Sequence, residues 1–355
     1  MPTIKDVARL AGVSYTTVSH VINGTRPVAE DTRDRVEKAI KELGYRQNMI
    51  ARGLRKGESM TIGVVSHSSS DAYFSEVLHG IQERAWESGY SVYISYTDIT
   101  EACVACMEEG DFDFFERRER DILEGLINRN IQGLILNSIQ NDQALTSFVS
   151  NADLPCVLFQ RHIPGKTHDI FKCKDAQGTQ EAMNYLLSLG HRRIALMEGY
   201  GYESHSVKYR KEVWKHSLAK AGIDVDPDLL CDGRYDSTTA YELTSALLSM
   251  EDRPTAIIYY SDTMAMAGIR AAADMGIHIP AELSIIGYDN LLIDEVMIPR
   301  LTSVNQMSAH IGREMMERLI ERIENPSLPQ KIQEYPQNLV IRESTGAAPQ
   351  EENKK

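Results

Sequence analysis

A chain of 355 residues, 42% apolar and 25% charged, is long enough for two or three packed units of ordinary soluble composition. No apolar run approaches the roughly 18 residues that span a bilayer, and the N-terminus opens on a polar segment where an export signal would be apolar, so a cytoplasmic protein is expected. The formal net charge of −13 hides two unlike parts: residues 1–60 hold 11 Lys and Arg against 7 Asp and Glu, and the rest holds 27 against 44, so a nucleic acid would meet only the head.

The head predicts three short helices. Ile4, Val7, Ala8 and Ala11 give the first an apolar stripe, and Gly12 permits a sharp turn. Ser14 is the N-cap of a second helix whose Val18, Val21 and Ile22 share a buried side. Tyr15 with Ser19 and Thr16 with His20 are i,i+4 pairs on the opposite face, where phenol, hydroxyl and imidazole groups suit base edges and phosphates. A third helix has Val36, Ala39, Ile40 and Leu43 as its core face and closes at Gly44. This is the pattern of a helix-turn-helix, with a small helical subdomain of no DNA role as the other reading.

Four runs carry a resemblance: Thr3-Ile4-Lys5-Asp6-Val7-Ala8, Ala11-Gly12-Val13-Ser14, Thr17-Val18-Ser19-His20-Val21-Ile22-Asn23 and Val28-Ala29-Glu30-Asp31-Thr32-Arg33. Together they resemble the head of the LacI/GalR family of transcription repressors. The resemblance implies a homodimer on palindromic operator DNA, with Tyr15, Thr16, Thr17 and His20 reading the major groove and Arg26 contacting DNA beside them. Residues 48–56 make about two turns of helix, too short and glycine-interrupted to be stable alone. In the family this is the hinge helix paired across the dimer; Leu54 matches its minor-groove wedge and Arg55 lies beside it, a flexible linker being the alternative. Gln47 stands where the family usually has proline, which would preset the first helical φ.

From Thr61 short β-rich runs alternate with helical ones, beginning with Thr61-Ile62-Gly63-Val64-Val65 and ending near Ser284-Ile285-Ile286-Gly287. Alternation means parallel sheets covered on both faces, and there are too many units for one sheet. The expected fold is therefore an all-α head on an α/β core of two doubly wound parallel-sheet lobes, which matches the family's periplasmic-binding-protein-like effector domain. The expected boundaries are 1–47 for the head, 48–60 for hinge and linker, 61–345 for the two lobes and 346–355 for a polar tail. Lobe crossings are expected near 160–164, 291–295 and 325–329. The tail holds no leucine repeat, so a dimer is expected rather than a coiled-coil tetramer.

Ligands of such lobes bind at the carboxyl ends of strands, and Asp262 and Asp289 both follow strands. Paired carboxylates serve as acid and base or as acceptors for ligand hydroxyl and amide groups. The chain has no Gly-x-Ser-x-Gly elbow, His-Glu-x-x-His or P-loop, which favours binding over catalysis, with no cofactor and no metal expected. By resemblance Asp289 is the effector anchor, whereas Asp262 also reads as a helix cap. Tyr73 and Phe74 match an aromatic platform for a flat ligand, with core packing as the alternative. Arg210 matches an effector-holding arginine, and Tyr235 takes the place of an aromatic facing it. The likeness fails in places: Lys211-Glu212-Val213-Trp214 lacks the usual glycine, and Gln160-Arg161 stands where relatives often have Asp-Arg, so the ligand's identity is not inherited.

Residues 100–115 read as an insertion with Cys103, Cys106 and an acidic, aromatic run, either half a zinc site, a redox pair, or a surface elaboration that lids the cleft or meets a partner. Five cysteines, an odd number, fit reduced thiols, with Cys156 in a buried strand. The expected function is a ligand-responsive, sequence-specific DNA-binding repressor of a metabolic operon, sensing a sugar or similar polar metabolite. A regulator answering to a protein partner, and an enzyme or solute-binding protein, are the alternatives.

Overall fold

The computed structural model describes residues 2–23, 26–44, 59–66, 68–97, 113–137, 154–160, 168–199 and 205–350. The chain divides into two units, Met1–Ser59 and Met60–Lys355. In the first, helix α1 spans Ile4–Ala11, α2 Tyr15–Asn23 and α3 Glu30–Leu43. Each boundary has a local cause. The Asp6 carboxylate takes the Thr3 N–H at 2.9 Å, a capping box that starts α1, and Gly12 at φ 64° ends it. Ser14 Oγ accepts from the Thr17 N–H at 3.0 Å, as an N-cap should. Val7, Ala8, Ala11, Val18, Val36 and Ala39 meet in one core, with Ile4, Val21, Ile22, Ile40 and Leu43 around it.

The second unit holds two six-stranded sheets. Strands β1 (Thr61–Ser66), β2 (Ser91–Tyr96), β3 (Gly133–Asn137), β4 (Cys156–Phe159), β5 (Asp169–Cys173) and β11 (Ile332–Tyr335) form the first, in the order β11-β5-β4-β3-β1-β2, all parallel. The second runs β12-β10-β9-β8-β6-β7, with β6 (Ile194–Glu198), β7 (Leu230–Asp232), β8 (Ala256–Tyr259), β9 (Ser284–Asp289), β10 (Thr302–Asn305) and β12 (Asn338–Val340). Only the β10–β12 pairing in it is antiparallel. Helices α4 (Ala72–Glu87), α5 (Asp113–Ile127) and α10 (Ser308–Glu324) cover the first sheet; α6 (Asp175–Ser188), α7 (His205–Lys220), α8 (Ser237–Leu248) and α9 (Asp262–Asp274) cover the second. Strands buried on both faces read as continuous apolar runs, which is why β3, β4, β6 and β8 stand out in the sequence.

The lobe crossings lie elsewhere than expected. The chain leaves the first sheet only after Cys173, returns at 306–307, and crosses again at 336–337. Asp169-Ile170-Phe171-Lys172-Cys173 carries a charge at each end of a short apolar core and so hides a strand, which pairs with β4 in register Val157 with Asp169. Residues Leu292–Glu295 form a 3-10 turn inside the second lobe, and 325–329 link α10 to β11 inside the first. The tail also begins later than expected: the Ala348 N–H donates to Leu189 O at 2.9 Å, and buried His191 bonds Gly346 O at 3.1 Å.

Two contacts fix α10 on the first lobe. A Cβ on Gly80 would lie 1.9 Å from Ala309 O, and one on Gly312 1.9 Å from Val77 O, so α4 and α10 touch backbone to backbone. Asp169, fully buried, takes Arg318 Nε at 3.0 Å, Arg322 at 2.9 Å through each oxygen, and the Lys331 N–H at 2.6 Å.

Candidate functional site

Two surfaces carry chemistry, one in each unit. In the head, the N-cap at Ser14 sets the rotation of α2. Val18 is then buried, Tyr15 and Thr16 are exposed, and Thr17 and His20 are half-buried. Thr17 and His20 line one concavity with Arg26, Val28 and Thr32, which brings Arg26 to the mouth of the helix although it follows α2 in sequence. A short helix with hydroxyl, phenol and imidazole groups on its open side and an arginine at its edge can read base edges and hold a phosphate at once. Leu54 and Arg55 lie outside the described residues, as do residues 98–112 with Cys103 and Cys106, and Arg161.

The second surface lies where the lobes cross. Asp71 caps α4 by accepting the Phe74 N–H at 3.2 Å, which places Tyr73 at the helix entrance. The Tyr73 ring stacks on Phe159 with centroids 6.1 Å apart, and its hydroxyl lies 3.8 Å from Cys173 Sγ, beside the first crossing. Phe74, expected beside it as part of the platform, is 1% exposed and packs into the first-lobe core, because successive residues on a helix point about 100° apart. Burial pushes the Cys173 thiol up to about 12, with the Asp175 carboxylate adding to it, which disfavours the thiolate.

Arg210, on α7, is buried. Its guanidinium lies 3.6 Å from the Tyr288 ring centroid and donates to Asp175 Oδ1 at 2.9 Å and to Tyr260 O at 3.4 Å, while its Nε has no partner. Burial opposes its charge, but Tyr288, Asp175 and Tyr235 more than offset this and the group stays protonated. Tyr235 and Arg234 both have left-handed backbones, at φ 51° and 53°, and the Tyr235 ring lies over Gly199, where a Cβ would come within 1.9 Å of it. Tyr235 is 44% exposed as a residue, and local desolvation of its phenol, whose ring carbon Cζ lies over Gly199, pushes that group up to about 12 against the pull of Arg210; Asp289, Asp175 and Asp71 also bear on it.

Asp289 ends β9 and is buried. Its Oδ1 accepts from Gln306 Nε2 at 2.8 Å and its Oδ2 from the Asp262 N–H at 3.1 Å. Burial, then the charges of Asp262 and Asp71, hold its carboxyl well above the usual range. Asp262 is not the cap of α9: Ser261 is, accepting the Met264 N–H at 3.3 Å. The Asp262 side chain instead accepts from Ser303 Oγ at 2.6 Å and from the Leu291 N–H at 3.1 Å.

Sequence reasoning missed Asp175, Gln306 and Gln337. Gln337 Nε2 donates to Gln306 Oε1 at 3.1 Å and to Asp175 Oδ1 at 3.5 Å, and Tyr288 donates to Asp175 O at 3.0 Å. All three lie at the crossings, buried, and join Arg210 to Asp289 in one hydrogen-bonded network. Asp175 carried no readable signal, because the strand that precedes it, β5, is itself hidden in the sequence. The two glutamines carried none.

Residues 3–48 match the family described as bacterial regulatory proteins, lacI family, and residues 183–345 match the periplasmic binding protein-like domain. The chain is 34% identical over 345 residues to the HTH-type transcriptional repressor PurR of Photobacterium profundum, across 97% of this chain and 98% of that protein. In structure it is similar to the lac repressor dimer bound to operator and the anti-inducer ONPF, with a TM-score of 0.78 and 27% identity over 98% of this chain and 99% of that one. It is also similar to the transcriptional regulator CelR in complex with cellobiose, with a TM-score of 0.68 and 26% identity over 97% and 100%. Sustained along nearly the whole of both chains, the likeness to PurR fixes the kinship: the chain belongs to the LacI family of bacterial regulatory proteins, DNA-binding repressors with a ligand-binding effector domain.

Proposed function

We propose that this protein binds a palindromic operator as a homodimer and that a small polar metabolite, a sugar or a compound of like chemistry, sets its operator affinity from the cleft between the lobes. The observation that carries this reading is the Gln306–Asp289 hydrogen bond of 2.8 Å, which ties the residue matching the family's effector anchor directly to a lobe crossing. A ligand that hydrogen-bonds Asp289 therefore acts on the crossing itself, and a change in lobe angle follows from differential affinity for the open and closed forms. Tyr73 and Tyr235 supply aromatic walls and the buried carboxylates supply acceptors, which suits a ligand rich in hydroxyl or amide groups. CelR, a relative of the same architecture, is held with cellobiose.

Leu292, Val296 and Ile298, 76%, 72% and 92% exposed, form a short apolar stretch that supports pairing with a second copy. The lac repressor relative is a dimer on its operator.

The test is operator binding by the full-length protein at fixed salt, with and without a panel of sugars, nucleobases and nucleosides. One compound is expected to shift affinity by about five- to 150-fold, and the sign of the shift separates inducer from corepressor. Sound operator binding that no compound moves would replace the cleft ligand with a protein partner as the main input.

The head makes its own prediction. Replacing His20 by alanine lowers affinity for the cognate operator by about 1–3 kcal/mol and relaxes base preference at one position of each half-site. Arg26→Ala weakens cognate and random DNA alike and makes the logarithmic salt dependence shallower by about one per head. Equal losses on both DNAs for His20→Ala would remove it from base reading.

A further inference from the structure

The 3-10 turn Leu292–Glu295 directly after β9 is built inside out. Leu292 and Ile293 are 76% and 47% exposed, whereas Asp294 between Ile293 and Glu295 is fully buried. Neither Asp294 oxygen has a hydrogen-bond partner. The donors nearby are already used: the Leu291 N–H and the Ser303 hydroxyl go to Asp262, and the Asp262 N–H and the Gln306 amide go to Asp289. What faces the Asp294 carboxyl is the carboxylate of Asp262, close enough to form a hydrogen bond if one of the two carries a proton.

We propose that Asp294 is a positioning residue for the effector anchor: it stays a neutral acid, donates its proton to the Asp262 carboxylate, and through Asp262 holds the Asp289 side chain in place. This rests on the reading of Asp289 as that anchor.

The assignment of the proton follows from the donors. A buried carboxylate without a donor is far costlier than a neutral acid, so one of two adjacent carboxyls gives up its charge. Asp262, with the Ser303 hydroxyl and the Leu291 N–H bonded to it, is the member that can remain ionised; Asp294, which makes no hydrogen bond to a donor and shares only the field of that same Leu291 N–H, keeps the proton. Space is reserved for the pair. A Cβ on Gly287 of β9 would fall 2.0 Å from Asp262 Oδ1.

The charged groups around the pair agree. Burial, then the Asp262 charge, push Asp294 up to about 9, against the Arg342 guanidinium and the Leu291 amide. Arg342 is occupied by Asn290 Oδ1 at 2.7 Å, Leu301 O at 2.7 Å and Glu295 at 3.4 Å, so it does not neutralise Asp294. Asp289 faces the pair from β9 and itself feels Asp71 and Arg210.

The sign is fixed by the raised value. Between its ordinary 3.8 and about 9 the folded form holds a proton that the unfolded chain has lost. This group's contribution to stability therefore falls as pH rises through that window, by up to about tenfold in the folding constant per pH unit. Above it two charges stand side by side, and the turn is driven away from the Asp262 amide that holds Asp289.

Carboxyl-carbon NMR of the full-length protein labelled at aspartate tests this without any effector, over about pH 5 to 10, in wild type, Asp294→Asn, Asp294→Leu and Asp289→Asn. One aspartate resonance should keep its acid position through neutral pH, titrate near pH 9, and be missing from Asp294→Asn. The resonance lost in Asp289→Asn should move in that same titration. Asp294→Asn, whose amide donates in place of the acid, should leave the Asp289 resonance at its neutral-pH position, and Asp294→Leu should displace it. Full ionisation of every aspartate by neutral pH, survival of the alkaline titration in Asp294→Asn, or an Asp289 resonance that ignores it overturns the proposal. The pocket reading fails separately, by an effector response that survives Asp289→Asn.

Discussion

Asp169→Ala is expected to destabilise the effector domain by about 3–5 kcal/mol, the cost of breaking a buried ion pair by removing one partner. The loss is large because two guanidinium groups, 8% and 14% exposed, converge on this one carboxylate and would be left buried beside each other. For a domain of this size the midpoint of thermal unfolding should drop by roughly ten degrees. Circular dichroism melting reads it directly. Asp169→Asn should fall between wild type and alanine, because the amide keeps an acceptor for one arginine but no charge for either. Replacing Asp169, Arg318 and Arg322 together by leucine and methionine should recover much of the loss. A midpoint within a degree or two of wild type for Asp169→Ala would show that the arginines find water or other acceptors, and that β5 and α10 are held by packing alone.

The second large effect concerns the pocket. Asp289→Asn keeps the shape of the side chain but turns one of its oxygen acceptors into an N–H donor, so a ligand group that donates to that oxygen is left unpaired, at about 1–3 kcal/mol. The effector concentration for half-maximal change in operator affinity should therefore rise roughly ten- to a hundredfold. Operator binding without effector should change little, because the head contacts lie in the other unit. The asparagine also brings an N–H group against either the Asp262 N–H or the Gln306 amide, both of which now donate to Asp289, so a stability cost of about 1 kcal/mol accompanies the effect. Titrating the effector found in the panel against operator-bound protein, beside a thermal melt, separates the two: a shifted response with a midpoint lowered by no more than a few degrees supports anchoring, and an unchanged response removes Asp289 from the pocket.

The head was legible almost whole. Thr3 with Asp6, Gly12, Ser14 and Gly44 act within a turn of their own positions, so the three helices and their core face could be read directly from spacing. In the lobes the buried strands were legible for the same reason, and β5 was not, because its charged ends satisfy themselves through tertiary partners: Asp169 through Arg318 and Arg322, and Lys172 through Glu334 at 2.9 Å. That one hidden strand displaced the first expected crossing. The proposed pocket residues Tyr73, Arg210, Tyr235 and Asp289 come from resemblance to the family and not from spacing. Phe74, named with them, packs in the first-lobe core at 1% exposure, which is the core-packing alternative that the sequence left open.

By itself, then, the sequence determined the helix-turn-helix head, the alternating α/β character of the rest, the division of charge and the family. Each of these is written in residues a few positions apart, or in matched runs. The tertiary structure alone decided where the lobes cross and which groups meet there. Gln306 with Gln337, Asp175 with Arg210, and Asp262 with Asp294 lie 31, 35 and 32 residues apart and share no periodicity. Their pairing follows from burial, which compels each polar group taken from water to find a partner, or in the case of Asp294 to keep a proton.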